Sequence, residues 1–178
     1  MLYKLSKSGK RFDSIEPMPF EGLPKEKHLE DLIAQNLFDV LFEGNELMPI
    51  KQERQWQPEA DIYALNKQGD LVIFELKKDM AGGGALHQAL RYCEEAAQDG
   101  YEALQRHYRK YRNDSALDLQ EAHRETFGLE HALDRSAFNR QQHLVVVGSA
   151  SDNALMRNVR YWKSRGLSID FIPYRIYQ

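Results

Sequence analysis

The sequence predicts an α/β fold: a mixed central sheet flanked by helices, in a single domain spanning residues 1–178. Three observations carry this reading. Apolar residues recur at helical spacing in some stretches and at strand spacing in others. Two strand-like stretches are joined by turn residues. One stretch, DLVIFEL, is apolar on both faces until its glutamate, as expected of a central strand covered on both sides. The predicted order is α, β, β, β, α, a helical insert, β, α, β.

From Pro24, well suited to a helix start, KEKHLEDLIAQNLFDVLF places Leu29, Ile33, Leu37, Val40 and Leu41 at helical spacing, which predicts a helix over 25–42. LMPIKQE, EADIYALN and DLVIFELKK then read as a three-stranded meander, the last two joined by Lys67, Gln68 and Gly69. After Gly82, Gly83 and Gly84, read as a flexible loop, a second helix begins, with Leu86, Leu90 and Cys93 or Glu94 on successive turns. Residues 99–138 shift in composition toward Arg, Gln, Asp and His and are read as a helical insertion within the domain. LVVVG is a short buried strand. SDNALMRNVRYWKSRG is a capped helix ended by Gly166, and LSIDFIPY is a final strand, together a C-terminal αβ extension.

A chain of 178 residues can bury a sizeable core without disulfides or structural metal. The single cysteine, Cys93, rules out an internal disulfide and a thiolate zinc site, and fits a reducing, cytoplasmic setting. No apolar run approaches the roughly 20 residues of a membrane span. The start MLYKLSKSGKRF has no apolar leader core or small-residue cleavage site, so a soluble, intracellular protein without a membrane partner is expected. The net charge of −3 argues against binding nucleic acid by counterion release over the whole surface. Local basic runs exist in Arg106, His107, Arg109, Lys110 and Arg112, and in Arg157, Arg160, Lys163 and Arg165, and solvated helix surfaces account for them equally well. Among the six histidines no pair has metal-ligand spacing beside a third ligand, and His123 and His131 are read as surface positions. No nucleophile elbow, P-loop or dinucleotide fingerprint is present.

The chemistry concentrates in the hairpin. Residues two apart in a strand project from one face, so Glu75 and Lys77 point together from the end of DLVIFELKK. Asp61 comes from the partner strand, and pairing of the two arms brings it to the same end of the sheet. Charges at a buried sheet end are costly unless something pairs with them, and a divalent cation between two carboxylates would do so. Mg2+ (or Mn2+) suits this set, since magnesium is usually held by one or two carboxylates together with waters and phosphate oxygens. Asp61 and Glu75 are the expected ligands, with the carbonyl of Leu76 as a further oxygen donor. Metal-bound water has a lowered pKa and can attack phosphorus in line. Lys77 would orient that water or neutralise the developing charge. Solvated strand ends carrying an unrelated Asp and Glu-x-Lys are the competing explanation.

The stretch EADIYALNKQGDLVIFELKK, followed by GGGALHQALRY, resembles the catalytic domain of the PD-(D/E)XK nuclease superfamily, and most closely its NucS-like endonuclease branch. That branch carries a catalytic Asp, a Glu-x-Lys at the end of the next strand, and a Gln-x-x-Arg-Tyr on the following helix, which Gln88, Arg91 and Tyr92 match. The resemblance covers residues 24–98, and more loosely 143–173, and it leaves the insert aside. Glu59 and Ala60 precede Asp61 where the family has an Arg or Gly neighbourhood.

The resemblance implies a restriction-endonuclease-like core, αβββαβ, and a metal-dependent deoxyribonuclease whose catalytic residues are Asp61, Glu75 and Lys77, supported by Gln88 and Glu26. The family adds an acidic residue from its first helix. Glu26 and Glu30 are both candidates, Glu26 favoured by its Glu-x-x-Leu setting, and both also suit the positive end of a helix dipole. Gln88 could hold the attacking water or a phosphate oxygen, and Arg91 could contact the nucleic-acid backbone. Tyr92 is expected in the core with its hydroxyl satisfied. Arg106, Arg109 and Arg112 are the insert's candidate phosphate contacts. DNA is the expected partner, ahead of RNA, and a homodimer is compatible with the sequence. The alternative is a nuclease-fold protein without useful turnover that serves as a nucleic-acid-binding or assembly module.

Overall fold

The computed structural model describes residues 3–5, 12–14, 47–52 and 61–173. The predicted helix over 25–42, with Glu26 and Glu30, lies outside the described residues. Two short strands, β1 (Tyr3–Leu5) and β2 (Phe12–Ser14), pair antiparallel. The main sheet has five strands in the order β3 (Leu47–Gln52), β4 (Ile62–Asn66), β5 (Leu71–Ala81), β6 (Gln142–Ser151) and β7 (Ile169–Pro173). β3, β4 and β5 form the predicted antiparallel meander. β6 and β7 add in parallel, so the sheet is mixed, with β5 at its centre.

The period-2 pattern of β5 explains that central place. Leu71 and Ile73 enter one apolar cluster, and Val72, Phe74 and Leu76 enter another on the opposite face. Each such side chain contributes about 1.5–3 kcal/mol when fully buried. Between β4 and β5 the chain reverses through Lys67, Gln68 and Gly69. Asn66 fixes this turn, its side-chain oxygen accepting from the N–H groups of Gln68 and Asp70 at 3.0 and 2.9 Å. Gly69 has φ +86°, and a Cβ there would stand 3.1 Å from a methyl of Leu133, so both backbone and space require glycine.

Helix α1 (Gly83–Ala96) follows β5 and packs on the sheet through Ala85, Leu86, Ala89, Tyr92 and Ala96. The small alanines let it approach closely, and Leu90 and Cys93 are only partly buried. Gly83 and Gly84 are not loop residues as expected: they form the first turn of α1, with Gly82 as its N-cap. A Cβ on Gly82 would stand 3.1 Å from a carboxylate oxygen of Asp152.

Within 99–138 the helices are α2 (Tyr101–Arg112), α3 (Leu119–Thr126) and a single 3-10 turn, Arg135–Ala137. Asn113 ends α2 in the left-handed conformation, φ 54°. Tyr101, Leu104, Tyr108, Leu119 and Phe138 belong to the same apolar cluster as the helix-side face of the sheet. His123 is a departure from expectation. It is not on the surface but fully buried, its Nε2 2.8 Å from the carbonyl of Asn66 and its ring against Phe127 and Phe138. His131 is exposed, as expected. Finally α4 (Asn153–Ser164) is capped by Asp152, which accepts from the N–H of Leu155 at 2.6 Å, and it buries Leu155 and Val159. No helix among the described residues is long and apolar enough to cross a membrane.

Candidate active site

The β4–β5 register places the first two candidate residues. The last ladder pair at this end is Ile62 with Phe74, so the next position sets Asp61 opposite Glu75. Directly opposed residues share a face. That face also carries Tyr63, Leu65, Leu71 and Ile73, all in the helix-side cluster. Lys77, two residues beyond Glu75, projects the same way, and its Nζ lies 2.7 Å from Glu75 Oε1. Asp61 is 8% exposed, Glu75 1% and the Lys77 side chain 25%. Two buried carboxylates and one half-open ammonium therefore meet where β4 begins.

Asp61 also does backbone work that the sequence did not announce. Its Oδ2 accepts the N–H of Leu76 at 2.5 Å, just beyond the end of the β4–β5 ladder. The side chain replaces the carbonyl that a longer β4 would have offered, and a charge-assisted bond of this kind holds the carboxylate firmly. Leu76 sends its side chain to the opposite face of the sheet.

On α1, Gln88 and Tyr92 are one turn apart. Gln88 Nε2 donates to the Tyr92 hydroxyl at 2.8 Å, and Tyr92 is buried, so its hydroxyl is satisfied inside the core. Arg91 is exposed, its guanidinium 5.0 Å from the centre of the Tyr92 ring. Arg106 and Arg112 are exposed on α2, whereas Arg109 is half-buried and donates from Nε to the carbonyl of Leu117 at 2.8 Å.

The donor set fits a hard divalent cation in its chemistry. Asp61 and Glu75 supply anionic oxygens on one face of adjacent strands, and magnesium is commonly bound through one or two carboxylates, with waters and substrate phosphate completing the set. Among the described residues no group of three or more His, Cys, Asp or Glu converges to form a complete protein cage.

The hairpin's turn end also gathers polar side chains beside a cleft of about 460 Å³ lined by Asn66, Gln68, Val72, His143, Ser168 and Asp170. His143 Nδ1 lies 2.6 Å from the Ser168 hydroxyl, but its Nε2 is 3.6 Å from the Asp70 carboxylate, beyond hydrogen-bond range. The base is thus not held by the acid, as a nucleophilic serine relay requires. Cys93 offers no nucleophile either, since burial pushes its thiol pKa up.

No family model matches the sequence, and no curated protein does. Among solved structures, the fold is similar to a repair endonuclease from Pyrococcus abyssi, with 17% identity and a TM-score of 0.46 over 84% of this chain and 47% of that one. It is likewise similar to EndoMS in a complex with double-stranded DNA, with 16% identity and a TM-score of 0.46 over 92% of this chain and 49% of that one. For EndoMS in its apo form the values are 15% and 0.45, over 84% and 47%. The chain thus spans just under half the length of these structures.

Proposed function

We propose that this chain is a divalent-metal-dependent nuclease that hydrolyses DNA phosphodiester bonds. The observation that carries the reading is the meeting of Asp61, Glu75 and Lys77 on one face at the start of β4, two of them carboxylates almost shut off from water. Natural chains rarely place such charges there without a use for them. The choice of DNA rests on the resemblance of residues 61–92 to the nuclease motif.

Asp61 and Glu75 would hold the cation, with the Leu76 carbonyl as a further oxygen donor. When bound, the cation supplies Lewis acidity and lowers the pKa of a coordinated water. The chain's own residues do the rest. The bond from Leu76 N–H fixes the Asp61 carboxylate, so little ordering is left for the moment of binding. Lys77 neutralises Glu75 and stands ready to stabilise negative charge that grows on a phosphate oxygen. Gln88, its amide anchored on the Tyr92 hydroxyl, would hold the attacking water or a phosphate oxygen.

The test is incubation with single-stranded, duplex and branched DNA in magnesium or manganese, with Asp61→Asn and Glu75→Gln as controls. Cleavage that needs the metal and both carboxylates is the expected result. Equal cleavage by the variants would overturn the reading. Manganese binding without any cleavage would favour the alternative of a binding or assembly module.

A further inference from the structure

Among the described residues, three large apolar side chains are conspicuously exposed: Met80 at 62%, Tyr161 at 52% and Trp162 at 40%. Tyr161 and Trp162 are neighbours on α4, their rings edge to face at 5.3 Å. Met80 lies near the end of β5, three residues past Lys77. The next residue, Ala81, accepts the N–H of Asp152, the cap of α4, at 3.1 Å. The helix therefore starts at the same end of the sheet as the candidate site and carries its exposed aromatics away from it.

The charge on this helix is as uneven as its exposure. α4 has no acidic residue, whereas α1, α2 and α3 each contain at least one glutamate. Arg157 and Arg160 are exposed on it, and Arg165 follows at its C-cap. None of these three arginines has a carboxylate within ion-pair distance among the described residues, while Lys163 is paired with Asp170 at 2.5 Å. Residues 157, 161 and 165 fall four apart on one face, about 6 Å from one to the next along the axis. The Arg165 guanidinium sits 5.3 Å from the centre of the Tyr161 ring. In a chain of net charge −3, an acid-free face that combines arginines with open aromatic rings calls for a polyanion with flat apolar groups.

We infer that the exposed face of α4 binds an unpaired nucleic-acid strand, its phosphates on Arg157, Arg160 and Arg165 and a base stacked on Tyr161 or Trp162. Single strands are held by this combination of a cationic track and stacking platforms, and a paired duplex hides its base faces. A second copy of this chain is the poorer occupant, because it would set arginine against arginine. The inference extends the nuclease reading by giving the substrate a single-stranded part that is held along α4, away from the site. The binding itself is measurable without cleavage.

The test measures binding of a fluorescent oligo-dT and of a duplex by anisotropy, with the whole chain in EDTA. Tyr161→Ala should weaken oligo-dT binding roughly five- to hundredfold, the range of one lost stacking contact. Tyr161→Phe should restore it. Replacing all three arginines by Ala should reduce the slope of log affinity against log salt by about two, at about 0.7 per lost contact to a single strand. Thermal melts of each variant confirm that it is folded. Oligo-dT binding that ignores Tyr161→Ala and Trp162→Ala, or a duplex bound as tightly through the same residues, would overturn the inference. So would a change in sedimentation mass as the only effect of these variants. Should Asp61→Asn cleave as well as the parent while Tyr161→Ala loses oligo-dT binding, the nuclease reading fails and the surface stands. The reverse pattern would leave the nuclease reading and remove the surface.

Discussion

The two ends of the β4–β5 hairpin solve the same problem in opposite ways. At the turn, neutral polar groups partner the backbone: the buried His123 meets the carbonyl of Asn66, the partly buried Asn66 bonds its own turn, and the N–H of Asn139 reaches the carbonyl of Gly69 at 2.8 Å. At the open end, charged groups are gathered together: Asp61 and Glu75, both buried, and the partly exposed Lys77. A fold seeking only stability gains from the first arrangement, since buried ion pairs recover their desolvation cost poorly. On the proposed reading, the hairpin serves stability at one end and chemistry at the other.

The largest expected effects lie at the open end. Asp61→Asn or Glu75→Gln should lower turnover about a thousandfold or more, the loss of several kcal/mol of metal-dependent stabilisation. Manganese binding, followed by calorimetry, should weaken in both. Comparing Asp61→Asn with Asp61→Ala separates the two duties of that side chain. The amide keeps an acceptor for Leu76 N–H, whereas alanine leaves a buried donor bare and should cost a further 1–3 kcal/mol or so in urea unfolding. Equal stability of the two variants would show that the bond is not structural.

Next comes Lys77→Ala, expected to cut turnover by about 10²–10³ with manganese affinity little changed, because the lysine acts on charge that develops in the transition state. A purely structural lysine would leave turnover per folded molecule intact.

At the turn end the expected loss is of stability alone. His123→Ala removes a buried ring and the partner of the Asn66 carbonyl, and should destabilise by about 2–4 kcal/mol without changing turnover per folded molecule. The same residue sets a pH dependence. Burial, outweighing the bond to Asn66, holds the His123 pKa below its ordinary value near 6.5. Between the folded and unfolded pKa values the unfolded chain binds the extra proton, so stability rises with pH there. It should fall as the pH drops below about 6.5, level off beneath the folded pKa, and lose this step in His123→Gln. Urea midpoints from pH 5 to 8 measure it.

The smallest effect is expected on α2. Alanine at Arg106 and Arg112 should lower the salt slope of duplex binding by at most about two, one per lost contact. Arg109 is engaged with the Leu117 carbonyl, and its loss should show as a lower melting temperature.

The hairpin was legible in the sequence because local rules govern it: turn residues at 67–69, alternation on both sides, and a fixed register that sets Asp61 across from Glu75. The central place of β5 was legible in its doubly apolar pattern. The burial of His123 was not legible, because its partner Asn66 is 57 residues away and a lone histidine in a polar helix gives no periodic signal. The bond from Leu76 N–H to Asp61 escaped for a related reason, since it depends on where β4 stops. In 99–138 composition announced helices, yet the polar appearance hid Tyr101, Leu104, Tyr108 and Leu119, which reach the main core. The basic runs were visible as charge. Which arginines were already occupied was decided by contacts such as Arg109 with Leu117.

Pro49 and Pro173 give the sheet one more property. Among the described residues the outer strands are β3 and β7, the first carrying Pro49 beside a bulge and the second ending at Pro173. Proline brings no N–H to a growing ladder, and a bulge breaks the regular row of donors and acceptors. Both rims are therefore poor templates for strand addition, which guards the molecule against edge-to-edge aggregation. It also narrows the ways two copies could pair: a dimer built by extending this sheet is disfavoured, and one formed through helix faces is not.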